Sequence, residues 1–267
     1  MIKKIRRYFI TKIVKYGIKN ESKPIIKLAL FSSKVKIDFE QKILRDSSKL
    51  NKLYYARFSR IYYYSTGIST RINHLLEEYF IKNISNIHKE DIIVDIGANI
   101  GEFSLGISKV LNNYNLICIE PDPTEFDVLK KNLKGLKKVK LYNYALSKKN
   151  SQMIFYLNNN SGDSSLDNKS KNKINVKTKT LDHLLKDEKS IGLIKLEAEG
   201  HEPEVLEGSL ETLKKTKYIT VDVGPERNHK STFDSVHLIL TNANFQILEK
   251  GKIRETVLYF NQALVNH

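Results

Sequence analysis

Residues 92–103 constrain the fold more than any other stretch of this 267-residue chain. They open on the short β-branched apolar run Ile92–Val94, which predicts a strand buried on both faces of a parallel sheet. Gly97–Gly101 then break the strand. An amphipathic helix follows, and its apolar face carries Phe103, Ile107, Val110 and Leu111. A strand, a glycine turn and a helix in this order predict an α/β protein with a ligand pocket at the turn.

The turn indicates which ligands fit. Glycine lets the backbone come close to a ligand, because a Cβ would collide with it, and the free N–H groups of the helix's first turn favour an anionic group. The dinucleotide fingerprint needs a glycine where this chain has Asn99. Asp95 has no role in holding a pyrophosphate and suits a ligand that carries an ammonium group. A glycine turn without any ligand is the alternative.

A second predicted strand supplies another acid. The apolar run Asn115–Ile119 ends at Glu120. A carboxylate at the tip of the second strand suits a bidentate hydrogen bond to the hydroxyls of a ribose. The pattern therefore favours a ribose-containing ligand, while the absence of G-x-G-x-x-G counts against NAD.

Three blocks of sequence together resemble a known family. V-D-I-G-A-N-I-G from Val94, I-E-P-D-P from Ile119 and I-K-L-E-A-E-G-H-E-P-E-V-L-E-G from Ile194 resemble the FkbM-type family of S-adenosylmethionine-dependent methyltransferases. The resemblance covers residues 91–264, about two thirds of the chain. It departs from the family's pattern at Glu197, where the family usually has Asp, and the extra methylene lies beside the expected pocket.

The resemblance implies a class I, Rossmann-like methyltransferase with a doubly wound, mostly parallel seven-stranded sheet. The implied cofactor is S-adenosyl-L-methionine, and the implied reaction is O-methylation of a hydroxyl on a sugar, a glycan or a secondary metabolite. The residues expected at the cofactor are Asp95, Gly97, Asn99, Gly101, Phe103, Glu120, Pro121, Ala145 and Glu197. A fold does not identify the acceptor, so its identity stays open.

The end of the predicted strand Ile191–Leu196 carries the candidate catalytic residues. Methyl transfer to oxygen is an in-line displacement, and a neutral alcohol must lose its proton during attack, so a nearby base helps. Glu199 and His201 are the candidate bases. Histidine is a common general base near neutral pH, and a cap on the following helix is the alternative role of His201. Glu197 is expected on the cofactor side.

Acids that follow several strands leave a metal site as an alternative. Ligands of open α/β sheets bind at the carboxyl ends of the strands, and Glu197, Asp222 and Glu226 all follow such ends. Oxygen ligands suit Mg²⁺. Mg²⁺ at these three acids is therefore the alternative to a metal-free site.

The positive charge of the chain is concentrated near its N-terminus. The net charge is +15, and residues 1–60 hold 17 Lys and Arg against 4 Asp and Glu. Such asymmetry favours an anionic partner, either a membrane or a nucleic acid. We predict a basic helical extension over residues 1–60, with residues 21–60 covering the open side of the pocket. The methyltransferase domain is predicted over residues 61–267.

Residues 1–20 plot as an amphipathic helix that suits the surface of an anionic membrane. One stripe carries Ile2, Ile5, Phe9, Ile13 and Tyr16, and the opposite face carries Lys3, Lys4, Arg7, Lys15 and Lys19. An ordinary helix packed on the domain is the alternative, as is a disordered N-terminus.

A nucleic-acid methyltransferase would also explain the basic N-terminus. Amino-methylating enzymes of that type typically carry Asn/Asp-Pro-Pro-aromatic after the fourth strand, where this chain has Glu197–Gly200. Carbon-methylating ones use a nucleophilic cysteine, whereas Cys118 lies inside a predicted strand. A non-catalytic nucleotide-binding module is a further alternative.

The cellular compartment follows from cysteine usage and hydropathy. The single cysteine cannot form an internal disulfide, which fits a reducing compartment. No signal peptide or transmembrane segment is evident. We expect a cytoplasmic protein that contacts the cytoplasmic membrane face if residues 1–20 bind lipid, with a small molecule or glycan bearing a free hydroxyl as the acceptor.

Two further stretches are candidates for the pocket wall. Tyr62–Gly67 precedes a predicted helix at Ser69–Phe80. The family resemblance places this segment just before the cofactor strand and thereby implies Tyr64 or Thr66 as a candidate ligand contact, with core packing as the alternative. The polar run Asn158–Asn172 predicts a long loop, and loops of this length in compact domains often form lids.

Overall fold

Alternating strands and helices make up most of the chain. The computed structural model describes residues 2–46, 52–84, 87, 91–111, 114–157, 166, 172–252 and 254–265. The helices are α1 (Ile2–Lys19), α2 (Lys23–Phe31), α3 (Ile68–Glu78), α4 (Glu102–Val110), α5 (Pro123–Leu133), α6 (Leu181–Leu184), α7 (Glu202–Glu207), α8 (Leu210–Leu213) and α9 (Phe233–Asn242). The strands are β1 (Lys36–Asp38), β2 (Ile43–Arg45), β3 (Leu53–Tyr54), β4 (Ile92–Ile96), β5 (Asn115–Ile119), β6 (Val139–Tyr142), β7 (Ala145–Leu146), β8 (Ser151–Leu157), β9 (Asn172–Lys179), β10 (Ile191–Leu196), β11 (Thr216–Asp222), β12 (Phe245–Lys250) and β13 (Thr256–Asn261).

The main sheet has seven strands in the order β12-β13-β11-β10-β4-β5-β6. Strand β13 runs antiparallel to β11 and β12, and the other neighbouring pairs are parallel. This confirms the predicted doubly wound, mostly parallel sheet. The chain first builds outward from β4 to β6 and then returns to place β10 on the other side of β4. Open α/β sheets bind their ligands at such a reversal, at the carboxyl ends of the strands.

Both faces of the sheet are covered. Every residue of β4 and of β10 is buried. One apolar cluster joins β4 to α3, α4 and α5 and includes Ile72, Phe103 and Leu129, and a second covers the opposite face and includes Val205 and Val236. Full burial of one such side chain contributes about 1.5–3 kcal/mol, so these clusters hold the strand ends in fixed positions.

The segment before residue 60 differs in part from the predicted helices. Helices α1 and α2 are present, but β1, β2 and β3 form a small antiparallel sheet. Ile37 lies opposite Leu44, and Leu44 lies opposite Leu53. Apolar side chains placed on one face of these short strands pack on the core, which explains why they pair instead of forming a helix.

The N-terminal segment shares a core with the rest of the domain. Val14 of α1, Leu30 of α2 and Ile61 belong to the same buried cluster as Phe103 and Leu258. The division at residue 60 stays a prediction. Among the described residues, no helix combines the length and the apolar character needed to cross a membrane.

The remaining elements follow the predictions with smaller changes. Strand β6 ends at Tyr142, and Ala145–Leu146 joins a second small sheet of order β7-β9-β8. Asp122 caps α5 by accepting from the Thr124 N–H at 2.9 Å. Apart from Leu166 and Asn172, the predicted loop over residues 158–172 lies outside the described residues.

Candidate active site

The turn between β4 and α4 is fixed by contacts between strand ends. Gly97 has a φ of +70°, and a Cβ there would lie 2.0 Å from the backbone oxygen of Glu197. The neighbouring strand end therefore requires glycine at this position, independently of any ligand. The N–H groups of Gly97 and Ala98 donate to the Ile119 oxygen at 3.0 and 3.1 Å. These bonds hold the turn against β5.

Gly101 serves helix packing. It has a φ of +91°, and a Cβ there would lie 2.8 Å from Cδ1 of Leu129 in α5. We expected Gly101 at the cofactor, but it is absent from the described residues that line the cavity. Asn99 does line the cavity, with a φ of +49°, and its side-chain oxygen accepts from the Ile100 N–H at 2.9 Å.

A large cavity opens at the carboxyl ends of β4, β5, β10 and β11. Its volume is about 1380 Å³, which exceeds the range of about 300–1000 Å³ that is usual for a single small ligand. Nine of the residues predicted from the sequence line it: Gly97, Asn99, Phe103, Glu120, Pro121, Ala145, Glu197, Glu199 and His201. The cavity therefore has room for a cofactor and an acceptor side by side.

Glu120 is held in position at the end of β5. Its Oε2 accepts from the Asn99 N–H and its Oε1 accepts from the Asp122 N–H, both at 2.8 Å. Burial raises the pKa of Glu120 to about 8, although these two hydrogen bonds lower it. Each carboxylate oxygen keeps a second lone pair, so two hydroxyls of a ribose can donate to it.

Arg57 braces the loop that follows Glu120. Its buried guanidinium donates to Asp122 and to Glu125, the latter from Nη1 to Oε1 at 2.8 Å. Asp122 therefore both caps α5 and pairs with Arg57, while the Glu125 side chain also pairs with Arg57. A side chain from the N-terminal segment thus helps to shape the predicted cofactor site.

Glu197 lies in a network of charges at the end of β10. Its Oε2 accepts from Tyr79 Oη at 2.8 Å and lies 3.0 Å from Lys195 Nζ, and its Oε1 accepts from Arg254. Burial alone would raise the pKa of Glu197, but Arg254 and Lys195 together hold it well below its usual range. Glu197 is therefore an anion in the cavity wall at neutral pH.

Asp95 occupies a different place from the one expected. It is fully buried, its Oδ2 accepts from Ser104 Oγ at 2.8 Å, and its Oδ1 lies 3.3 Å from Lys195 Nζ. Asp95 is not among the described residues that line the cavity. The predicted contact with a ligand ammonium is not supported by this position. Asp95 instead holds Lys195, which also donates to the Gly97 oxygen at 2.8 Å.

Arg254 occupies the space between two acids that were considered for Mg²⁺. Its guanidinium donates to both Glu197 and Asp222. Arg254 already neutralises these two carboxylates and occupies the space between them, as a metal ion would. Within the described residues, no group of three or more His, Cys, Asp or Glu side chains is suited to hold a metal. The Mg²⁺ alternative is therefore not supported.

The two predicted bases differ in their surroundings. His201 is buried as the first residue before α7, with Nε2 at 3.0 Å from Ser147 Oγ and Nδ1 at 3.6 Å from Glu204. Both ring nitrogens of His201 therefore face protein groups. Glu199 is partly exposed and has a φ of +52°. A left-handed φ is uncommon outside glycine, and such strain clusters at functional sites.

The end of the cavity beyond Pro121 is largely apolar. It is lined by Tyr144, Ala145, Leu146, Phe155 and Leu166. A planar base suits this end, because aromatic and aliphatic side chains can cover its faces.

Several cavity residues were missed by the sequence analysis. These are Arg60, Tyr63, Arg71, Tyr79, Lys195 and Arg254. Tyr63 lines the cavity, whereas Tyr64 is buried in the core and Thr66 is not among the described lining residues. A ligand contact of Tyr64 or Thr66 therefore stays a prediction. No motif marked Arg254, which lies in a polar turn between β12 and β13.

Comparison with known proteins decides the family. A family model described as the Methyltransferase FkbM domain matches residues 95–247, more than half of the chain. The chain belongs to the FkbM methyltransferase family. This FkbM methyltransferase is 30% identical over 157 residues to the 2-O-methyltransferase NoeI of Sinorhizobium fredii (strain NBRC 101917 / NGR234), a match that covers 51% of this chain and 65% of the relative.

A second relative matches a shorter part of this chain, and a solved structure is similar in fold at low sequence identity. The methyltransferase sdnD of Sordaria araneosa is 35% identical over 96 residues, which cover 34% of this chain and 37% of that protein. The chain spans less than two thirds of either relative. A solved precorrin-6y C5,15-methyltransferase from Geobacter metallireducens GS-15 is 12% identical, with a TM-score of 0.42 over 72% of this chain and 88% of that one. The class I fold is established here by the strand order of the sheet.

S-adenosyl-L-methionine is the methyl donor of the FkbM family, and the cavity fits it. Glu120 presents a carboxylate for ribose hydroxyls, and the apolar end next to Ala145 suits the adenine. Glu197, ionised at neutral pH, lies beyond the glycine turn, where a negative charge favours the cationic part of the cofactor. When bound, the cofactor supplies an electrophilic methyl group.

Proposed function

We propose that this FkbM methyltransferase methylates a hydroxyl oxygen of a sugar, a glycan or a related metabolite. The observation that carries the proposal is the extension of the cavity past Glu197. The sheet order places the end of β5 and the end of β11 on opposite sides of β4 and β10. Most of the residues predicted to hold the cofactor follow β4, β5 and β10. The residues after β11 are left for the acceptor.

The acceptor end of the cavity is rich in hydrogen-bonding groups. Glu226, Asn228, His229 and Glu255 line it together with Glu199. Carboxylates, amides and imidazoles can each hydrogen-bond to several hydroxyls, so this wall suits a polyhydroxylated molecule. The relative NoeI is a 2-O-methyltransferase, which supports oxygen as the methylated atom.

Glu199 is the base in this proposal. It accepts the proton of the acceptor hydroxyl as the oxygen attacks, and the cavity walls align that oxygen with the transferred methyl group. His201 acts indirectly. Its backbone N–H donates to the Ala198 oxygen at 3.1 Å, and its buried ring is held by the contact with Ser147. His201 thereby fixes the backbone that carries Glu199.

The test combines a product search with a matched variant. Glycans and small metabolites from cells with and without the protein are compared by mass spectrometry for pairs that differ by one methyl group in place of hydrogen. The pair is then reproduced with purified protein, S-adenosylmethionine and the isolated acceptor, with Glu199→Gln as the slow variant. Methyl transfer to nitrogen or carbon, or transfer to RNA and to no hydroxyl compound, would refute the proposal.

We also propose that α1 and α2 hold the enzyme on an anionic membrane surface. The predicted stripe of α1 is solvent-exposed, with Phe9 at 59%, Ile13 at 46% and Tyr16 at 60% exposure, and on α2 Leu28 and Phe31 are 75% and 70% exposed. On α2 the exposed Leu28 and Phe31 lie opposite the buried Ile26 and Leu30, and on α1 the exposed stripe lies beside the buried Ile10 and Val14. The side chains of Ile2 and Ile5 lie outside the described residues.

Basic side chains accompany this apolar surface. The side chains of Arg7, Lys12, Lys15, Lys19, Lys23 and Lys27 are exposed, and residues 1–31 contain nine Lys and Arg against one acid, Glu21. Apolar side chains enter the interface of a bilayer while lysines meet anionic headgroups. Charge complementarity therefore favours an anionic lipid surface as the partner.

The membrane test keeps the fold intact. Deleting residues 1–20 would remove the buried Ile10 and Val14, so the exposed residues Phe9, Leu28 and Phe31 are replaced by Ser instead. The intact chain should sediment with vesicles rich in phosphatidylserine at low salt and not with phosphatidylcholine vesicles, and the triple variant should lose this binding. Failure of the intact chain to bind anionic vesicles, or a gel shift with RNA in its place, would refute the membrane proposal.

A further inference from the structure

The wall of the cavity nearest the N-terminal segment carries two arginines around one aromatic ring. Cζ of Arg71 lies 4.5 Å from the centroid of the Tyr63 ring, and Cζ of Arg60 lies 5.4 Å from it. All three side chains line the cavity and are partly buried. Guanidinium groups stacked on an aromatic ring lose much of their freedom to turn, so their N–H donors keep fixed directions.

The arginines near this wall differ in how their donors are used. Arg57 pairs with Asp122 and Glu125, and Arg71 donates from Nε to Glu102 Oε1 at 3.2 Å. The Arg60 guanidinium makes no hydrogen bond or ion pair with any residue in the part of the chain that the structure describes. A partly buried guanidinium carries five donors that need acceptors. Arg60 therefore offers donors to a ligand in the cavity.

The charge of Arg60 is maintained in this position. Burial lowers the pKa of the Arg60 guanidinium, but the carboxylates of Glu102 and Glu125 outweigh burial and raise it above its ordinary value. These two acids already accept hydrogen bonds from Arg71 and Arg57. They stabilise the cation nearby without occupying its N–H groups.

We propose that Arg60, Tyr63 and Arg71 form a subsite for a carboxylate or phosphate group inside the methyltransferase cavity. The planar fork of an arginine matches two oxygens of either group. The subsite rests on the proposed function, and the anionic group has two possible sources. It belongs either to the amino-acid end of the cofactor or to an acidic acceptor, such as a sugar that carries a carboxylate or a phosphate.

The experiment uses the full chain with three variants. Arg60→Gln removes the charge, Arg60→Lys keeps the charge without the fork, and Arg45→Gln is the control, because Arg45 is exposed on β2 and outside the cavity lining. Calorimetry measures the affinity of each protein for S-adenosylhomocysteine and for a decarboxylated analogue that lacks only the carboxylate. Inorganic phosphate is then titrated into each protein with and without S-adenosylhomocysteine.

Two outcomes support the subsite and identify its source. If the cofactor is the source of the anionic group, Arg60→Gln lowers the affinity for S-adenosylhomocysteine by at least about tenfold. Its affinity for the decarboxylated analogue is then the same as that of wild type. If the acceptor is the source, cofactor affinity is unchanged, and phosphate binds the wild-type complex but not Arg60→Gln. Arg60→Lys is intermediate in either case, and Arg45→Gln behaves as wild type.

Other outcomes separate failure of the subsite from failure of the proposed function. If Arg60→Gln changes neither cofactor nor phosphate binding, the subsite is refuted and the methyltransferase assignment stands. If wild type binds no S-adenosylhomocysteine but its phosphate binding still depends on Arg60, the proposed function fails and the anion site remains. The thermal unfolding midpoint of Arg60→Gln should match wild type, which excludes loss of fold as the cause.

Discussion

Glu120→Gln tests the ribose contact through its pH dependence. The contact needs an ionised carboxylate, because both oxygens must accept from hydroxyls while they already accept from the backbone N–H groups of Asn99 and Asp122. The pKa of Glu120 is raised to about 8. About one tenth of the protein therefore has Glu120 ionised at pH 7, and about nine tenths at pH 9. Affinity for S-adenosylhomocysteine should rise about tenfold over this interval, or ~1.4 kcal/mol.

Isothermal titration calorimetry of both proteins at pH 7, 8 and 9 measures the effect. Glu120→Gln should bind about tenfold more weakly than wild type at pH 9, with a smaller difference at pH 7. Titration of the ligand's amino group, and of Glu226 with its raised pKa of about 9, affects both proteins alike. The difference between them therefore isolates Glu120, and parallel pH profiles would refute the assignment.

The same substitution also changes how stability depends on pH. The pKa of Glu120 in the folded protein lies above its ordinary value of 4.5, so its contribution to stability is fully present below pH 4.5 and is lost as the pH rises through about 8. Glutamine cannot ionise and avoids that loss, but its NH2 group replaces one of the two oxygens that accept from the Asn99 and Asp122 N–H groups. The thermal midpoint of Glu120→Gln should therefore lie below that of wild type at pH 5 and approach or pass it at pH 9, as measured by circular dichroism.

Three further substitutions test other parts of the site. Gly97→Ala should lower both the thermal midpoint and cofactor affinity, because its Cβ would meet the Glu197 oxygen at 2.0 Å; a wild-type melting curve would contradict this. Arg254→Met should cost about 3–5 kcal/mol in denaturant unfolding at pH 7, because it leaves Glu197 without its main cation, and adding Glu197→Gln should recover part of the loss. Glu199→Gln should lower kcat by about 10²–10⁴-fold with cofactor affinity unchanged, whereas His201→Ala should mainly lower the thermal midpoint. A kcat for Glu199→Gln within about twofold of wild type would remove it as the base.

The main sheet was predictable because each of its strands carries a local pattern. The fully buried runs Ile92–Ile96 and Ile191–Leu196 and the final pair Phe245–Lys250 and Thr256–Asn261 are long enough to show apolar or alternating character. The small N-terminal sheet was not predictable in the same way. Its strands have two or three residues, too few for a period of two to be distinguished from a helix.

Site residues at strand ends were predictable, and those from distant segments were not. Glu120, Glu197 and Glu199 follow strands of the sheet and line the cavity. Arg60 and Arg254 reach the same cavity from segments outside the strands of the main sheet, and an arginine there is usually a solvated surface residue. Asp95 lies inside β4, which continues to Ile96, and is not among the described residues that line the cavity. A residue inside the strand alternates toward a covered face, so its side chain points to the core.

The ion pairs of Arg57 have a consequence for folding during translation. Its acceptors Asp122 and Glu125 lie 65 and 68 positions later in sequence. At translation rates of roughly 5–20 residues per second, Arg57 leaves the ribosome about 3–13 seconds before its partners. Throughout that interval the nascent N-terminal segment is cationic, partly apolar and without the surface that will later bury it. We expect a nascent chain to be most prone to premature capture by anionic surfaces in this window, before α5 has emerged.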